Sequence, residues 1–266
     1  MGRPELIDSS IRFNGKNNVL FCDKNVVLRN SALSFLGNNA VIYLSTNDIC
    51  VNLDLSHDSV IYFGKGIYTN SKLAIMATER KHVCIGDDGL FSHRIKMRTA
   101  DPHLLYDAKS YVRINDSRSI FIGDHVWIGQ EATILKGSQI GSGSVIGTNA
   151  VVANKTLYSN HCYAGNPVRV IKKNIFFTRH SVHNYTEQQT QKSHNRRTDA
   201  FTYQNDPRFK GYFAHIDAAL SSAATAQERL AVIREKLVSC VEKNRFAVLP
   251  DTVTARIFHK FLRQFR

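Results

Sequence analysis

Cysteine is too sparse and too scattered to frame this chain. The five cysteines among 266 residues, Cys22, Cys50, Cys84, Cys162 and Cys240, are odd in number, and none sits in a C-x-x-C pair. That spacing argues against a disulfide framework or a zinc knuckle and fits a reducing compartment. Long apolar runs are lacking too: no stretch approaches the roughly 18 residues needed to span a bilayer. Met1 to Ser10 is polar, with no apolar leader core, so a cytoplasmic location is expected. Acidic residues are the minority sign, 22 against 35 Lys and Arg, which leaves a net charge of +13. About half of that excess lies after Asn174, so it is not confined to a basic tail. Such a field favours a polyanion: nucleic acid, anionic lipid, a phosphate-rich cofactor or an acidic polysaccharide. No nucleic-acid recognition motif accompanies the charge.

What is present is a repeat. Ile122, Ile128, Ile134, Ile140, Ile146 and Val152 stand six residues apart without a break, and Gly123, Gly129, Gly141 and Gly147 follow four of them. Small residues such as Ala132, Ser144 and Ala150 fill the fifth place of the unit. Six matches neither a helical period nor a hairpin meander. It fits a triangular coil of about 18 residues whose short strands pair with the coils above and below. Glycine and asparagine are expected at the tight corners, where positive φ or a missing Cβ helps. Upstream, Ile85-Gly86, Phe63-Gly64 and Leu36-Gly37 continue a weaker version of the pattern. One solenoid of roughly nine coils is therefore expected over 5–172, within a domain of residues 1–173.

Residues 98–118 do not keep the period and read as a loop leaving the solenoid, where function concentrates. Residues 174–205, rich in His, Gln, Thr, Asn and Arg, read as a poorly ordered polar connector, and 206–266 as a helical extension. Within it, Leu230, Ile233, Leu237 and Val241 predict a helix over 226–242. A second, basic amphipathic helix is expected over 252–265; it would either pack on the parent domain or touch a membrane surface.

The run from Ile122 to Lys172, with its DHVWIG hexapeptide and GNPVRVIKK closing motif, resembles the last coils of the hexapeptide-repeat acetyltransferases. The branch it resembles O-acetylates sugars and includes galactoside, maltose and capsule or polysialic acid acetyltransferases. The likeness is firm over about 85–175, weaker before and absent after about 180. It implies a left-handed parallel β-helix, acetyl-CoA as co-substrate, no metal, and a homotrimer with active sites between subunits. It also implies a glycan acceptor, possibly an anionic polymer of the bacterial surface.

By the same resemblance the general base is His103, in the stretch ADPHLLYD, 24 residues before Trp127. A sugar hydroxyl is a poor nucleophile, and a base of near-neutral pKa removes its proton during attack. Asp101 or Asp107 could fix the imidazole tautomer, as could a backbone carbonyl. Trp127, the single tryptophan, is expected to face outward and line the acetyl and acceptor pocket, or else to serve subunit packing. His125, read as two places earlier on the same strand, could share that face; His93 has no motif behind it. Gly129, Gly147 and Thr148 match small positions beside the pantetheine arm. Lys155, Arg169 and Lys172 match cations that meet the phosphates. The stretch 153–160 departs from the sugar acetyltransferases by one extra residue, which leaves Asn154 as an alternative to Lys155.

Four other readings stand beside this one. A zinc-dependent carbonic anhydrase of the same fold needs H-G-[AC] pairs that are missing, and a serine acetyltransferase needs a helical domain ahead of the solenoid. An N-acetyltransferase acting on an amino sugar uses the same fold and a similar base. A non-catalytic scaffold would be expected to have lost His103, Trp127 or Arg169, all of which are kept.

Overall fold

The computed structural model describes residues 2–250, so the helix expected over 252–265 lies outside the described residues. The chain coils into a parallel solenoid with three faces. One face carries seven strands from Ser10–Phe13 to Val151–Val152, and a second carries seven from Val19–Cys22 to Thr156–Leu157. The third is split into three strands and six, and it contains Trp127–Ile128; its last strand, Arg169–Lys172, turns back antiparallel. All six residues of the period-six series are sealed in the central core.

Seven strands on a face mean about seven coils, not nine. The coils are wider upstream: Glu5 pairs with Val27, 22 residues on, whereas Trp127 pairs with Val145 after 18. The excursion over residues 99–119 takes up the rest of the difference. The corners divide between positive φ and a missing Cβ. Gly123, Gly129, Gly141 and Gly147 do not take positive φ; His125, Glu131, Gly137, Gly143 and Asn149 do, one per unit. Gly129 is required for another reason, because a Cβ there would stand 2.7 Å from the Thr148 backbone nitrogen in the next coil.

On the second face the outward ladder is as apolar as the inward one. Phe21, Tyr43, Tyr62, Cys84 and Phe121 stack in register along it, and only at Gln139 and Thr156 does it become polar. Such a surface needs a cover. Two helices supply it: α2 (Tyr212–Ser222) buries Phe213, Ile216 and Leu220, and α3 (Ala226–Ile233) buries Ala226 and Ile233. Phe213 stacks on Phe121 with ring centroids 5.3 Å apart. The seven-residue α1 (Glu187–Ser193) buries nothing.

The expected helix over 226–242 ends early. After α3 the chain makes one π turn at Arg234–Val238 and stops, leaving Leu237 buried and Val241 78% exposed. The physical reason is that Arg245 takes the Leu237 and Cys240 carbonyls that another turn would have used. The guanidinium, 3% exposed, also binds Asp124 in bidentate fashion (2.8 and 3.0 Å) and reaches Asp87 at 3.1 Å. Burial pushes the Asp124 carboxyl upward, against the pull of the Arg245 hydrogen bonds. The polar segment 174–205 is likewise pinned. Phe177 and Phe201 stack on His125 at 4.0 and 4.3 Å, and Asn160 bonds the carbonyls of Ile175 and Phe201.

His82 opens the strand His82–Ile85, fully buried, with neither ring nitrogen hydrogen-bonded among the described residues. Desolvation, with nearby Arg229 and Lys81, lowers its pKa to about 3. The unfolded chain binds this proton below its ordinary 6.5 and the folded chain does not, so stability falls as pH drops through that window. From pH 6.5 to about 4 the expected loss from this group is on the order of 3 kcal/mol. Urea unfolding of the wild type and of His82→Leu across that range should show the steeper decline in the wild type. Parallel curves would refute it.

Candidate active site

The loop expected over 98–118 is the excursion between strands Lys96–Arg98 and Ile120–Ile122, and it is built as a small hairpin closed by a Tyr106–Arg113 bridge. Two clamps hold its base. Arg113 forms a bidentate pair with Glu79 (2.7 and 2.8 Å) and Ser117 adds a short hydrogen bond, which together hold the Glu79 carboxyl at about 2. Lys136 donates to Asp101 (2.6 Å) and to the Asn115 carbonyl (2.8 Å). Asn115, 6% exposed, donates through Nδ2 to Asp101 (3.0 Å) and to the His103 carbonyl (2.8 Å). The His103 backbone is thus fixed from beneath, while its imidazole is exposed and has no hydrogen-bond partner among the described residues.

This corrects one expectation. Neither carboxylate orients the His103 ring in the single chain. Asp101 is committed to Lys136, which lowers its pKa, and to Asn115; Asp107 accepts from the Lys109 and Ser110 amides of the hairpin turn. Asp101 therefore positions the loop. Asn115 and Lys136 share that work, and no sequence signal marked either, because their partners lie 12 to 35 residues away.

Trp127 faces outward in a ladder between Leu90 and Val145, 39% exposed. Its indole N–H stands 3.5 Å from the Ser92 hydroxyl, and the Phe177 ring is 5.9 Å away. His125 does not share this face. It sits at a left-handed corner, buried, with Nδ1 2.6 Å from Asp88 and Nε2 donating to the Phe177 carbonyl at 3.1 Å. Its role is to anchor the returning chain, with Arg179 closing on the same Asp88 at 2.6 Å. His93 is exposed and contacts Asn70.

At the end of the solenoid Thr148, Lys155, Arg169 and Lys172 are exposed, Gly147 is half-buried and Gly129 buried. Lys155 reaches the Val168 carbonyl at 3.3 Å; none of these three cations has an acidic partner among the described residues. Asn154 takes the left-handed corner and is occupied by Arg118. No group of three or more His, Cys, Asp or Glu among the described residues is arranged to hold a metal ion, and no described helix is long and apolar enough to cross a membrane.

A parallel three-faced solenoid with an exposed histidine on a loop leaving it fits a hexapeptide-repeat acyltransferase. The family model described as "Bacterial transferase hexapeptide (six repeats)" matches residues 119–154. A polysialic acid O-acetyltransferase of Neisseria meningitidis is 34% identical over 174 residues, covering 64% of this chain and 79% of that protein. Among solved structures, the polysialic acid-specific acetyltransferase NeuO superposes with a TM-score of 0.54 at 26% identity, over 79% of this chain and 99% of its own. The polysialic acid O-acetyltransferase OatWY does so with a TM-score of 0.54 at 25% identity, over 71% and 96%. The chain belongs to this family of O-acetyltransferases.

Proposed function

We propose that this chain moves an acetyl group from acetyl-CoA to a hydroxyl of an anionic capsular polysaccharide of the polysialic acid type, with His103 as general base. The observation that carries the reading is an imidazole left open on a loop whose backbone is clamped by Asn115, Asp101 and Lys136. A base held this way meets an incoming hydroxyl without first giving up a protein hydrogen bond.

Acetyl-CoA supplies the activated acyl group. The unpaired Lys155, Arg169 and Lys172 are suited to its phosphates, and exposed Thr148 beside Gly147 and Gly129 leaves backbone within reach of a pantetheine arm. His103 takes the hydroxyl proton as the oxygen attacks the thioester carbonyl, the C–S bond breaks, and the proton passes on to the departing thiolate. Trp127 gives the reacting groups an apolar wall and an indole N–H. The acceptor class is supported by the names of the relatives and by the net charge of +13.

The hairpin exposes Leu104, Leu105, Tyr106, Tyr111, Val112 and Ile114 together. A patch of that kind marks an interface, and we assign it to the neighbouring copy in a homotrimer, where His103 would meet groups that the single chain lacks.

The test is thiol release from acetyl-CoA by the purified protein with polysialic acid, a neutral glycan and an amino sugar as acceptors. Turnover dependent on polysialic acid is expected. Turnover on the amino sugar alone would move the protein to N-acylation, and none on any acceptor, with no thermal shift by acetyl-CoA, would overturn catalysis.

A further inference from the structure

Where the outward ladder of the second face turns polar at Gln139 and Thr156, the extension no longer lies flat on it. A cavity of about 970 Å³ opens there, between the last coils and the start of α2. None of the residues assigned to acetyl transfer or to CoA lines it. Among the described residues its charged lining is of one sign, Lys173, Lys210 and Arg245, with no carboxylate. Arg245 is spent on Asp124 and Asp87, whereas Lys173 is exposed, with no acidic partner among the described residues.

The wall of the cavity is a built one. His161 is 6% exposed, with its ring held between Tyr158 and Tyr163. Its Nδ1 lies 2.7 Å from the Ser159 carbonyl. A carbonyl only accepts, so Nδ1 carries the proton, and in the neutral ring Nε2 is a lone pair. That Nε2 has no partner among the described residues, although the side chain lines the cavity. Asn174 and Asn205 add amides, and Tyr158 and Tyr212 add aromatic surface.

We propose that this cavity is a second binding site for an acidic sugar unit, holding another stretch of the polymer whose hydroxyls are acetylated at His103. The reading of the ligand rests on the proposed acceptor. The chemistry is complementary: a sugar hydroxyl donates to His161 Nε2, a carboxylate meets Lys173, and the tyrosine rings receive the apolar side of the pyranose. An isolated hydroxyl or carboxylate would gain little here, but a polymer engaged at both sites gains effective concentration at each.

Lys173→Gln should therefore raise KM for long polysialic acid by about 5- to 10-fold and leave kcat and the KM for a sialic acid disaccharide unchanged. His161→Phe, which keeps the ring stacking and removes both nitrogens, should act in the same direction. Equilibrium binding of the polymer to full-length His103→Ala protein, with and without Lys173→Gln, reads the site without turnover. Polymer binding that weakens with Lys173→Gln would support the cavity even if no acetyl transfer were found. Unchanged KM and unchanged binding in both variants, or equal competition by a neutral polysaccharide, would overturn it.

Discussion

Replacing His103 by alanine is expected to lower kcat by about 10²- to 10⁴-fold, the range for loss of a positioned general base. The ring is exposed and makes no hydrogen bond among the described residues, so the melting temperature should hold. Binding of acetyl-CoA should hold too, because the cations assigned to it lie on the last coils. Added imidazole should restore part of the rate in His103→Gly, since the open position leaves room for the missing base. Asn115→Ala is the companion variant. It removes the amide that ties the His103 carbonyl to Asp101, and should cost activity through position while the imidazole remains. A His103→Ala enzyme within a factor of a few of wild type would remove the base from the mechanism.

The second large effect is on stability. Arg245→Ala leaves Asp124 buried without its bidentate partner and frees the Leu237 and Cys240 carbonyls. Breaking a buried pair from one side costs about 3–5 kcal/mol, and that loss should appear in the urea midpoint. Asp124 also accepts the Asp87 amide at 2.7 Å, so Asp124→Asn keeps that bond while removing the charge. The double variant Arg245→Met with Asp124→Asn should recover much of the loss, and the cycle isolates the coupling. A single variant less than about 1 kcal/mol below wild type would show that the extension does not depend on this contact.

How much of this could be read in the chain depended on which surface each residue faced. From Ile122 to Val152 a branched residue returns at every sixth place, whatever faces outward between, so the period is legible. Upstream, the strand Val41–Leu44 is buried on both sides, because its outward Tyr43 lies under the helical cover; alternation disappears and with it the coil count. Nothing in the sequence around Arg229 and Arg245 marks them, yet both are buried where loops from distant coils converge on them. His125 falls at a corner and not on the strand because a six-residue unit has only short strands, and its neighbours Asp124 and Val126 give no hint of a left-handed corner. His103 and Trp127 are marked only by the family likeness, whereas Asn115 and Lys136 have no pattern to betray them.

The excursion that carries His103 interrupts the chain without interrupting the stack. Met97 lies directly against Ile134 and Ile85 against Ile122, one coil on, as though the excursion had been cut out. Selection can then treat the hairpin as a cassette. Its length and its exposed side chains can be rewritten, and a new acceptor admitted, while the column of isoleucines that it departs from never registers the exchange.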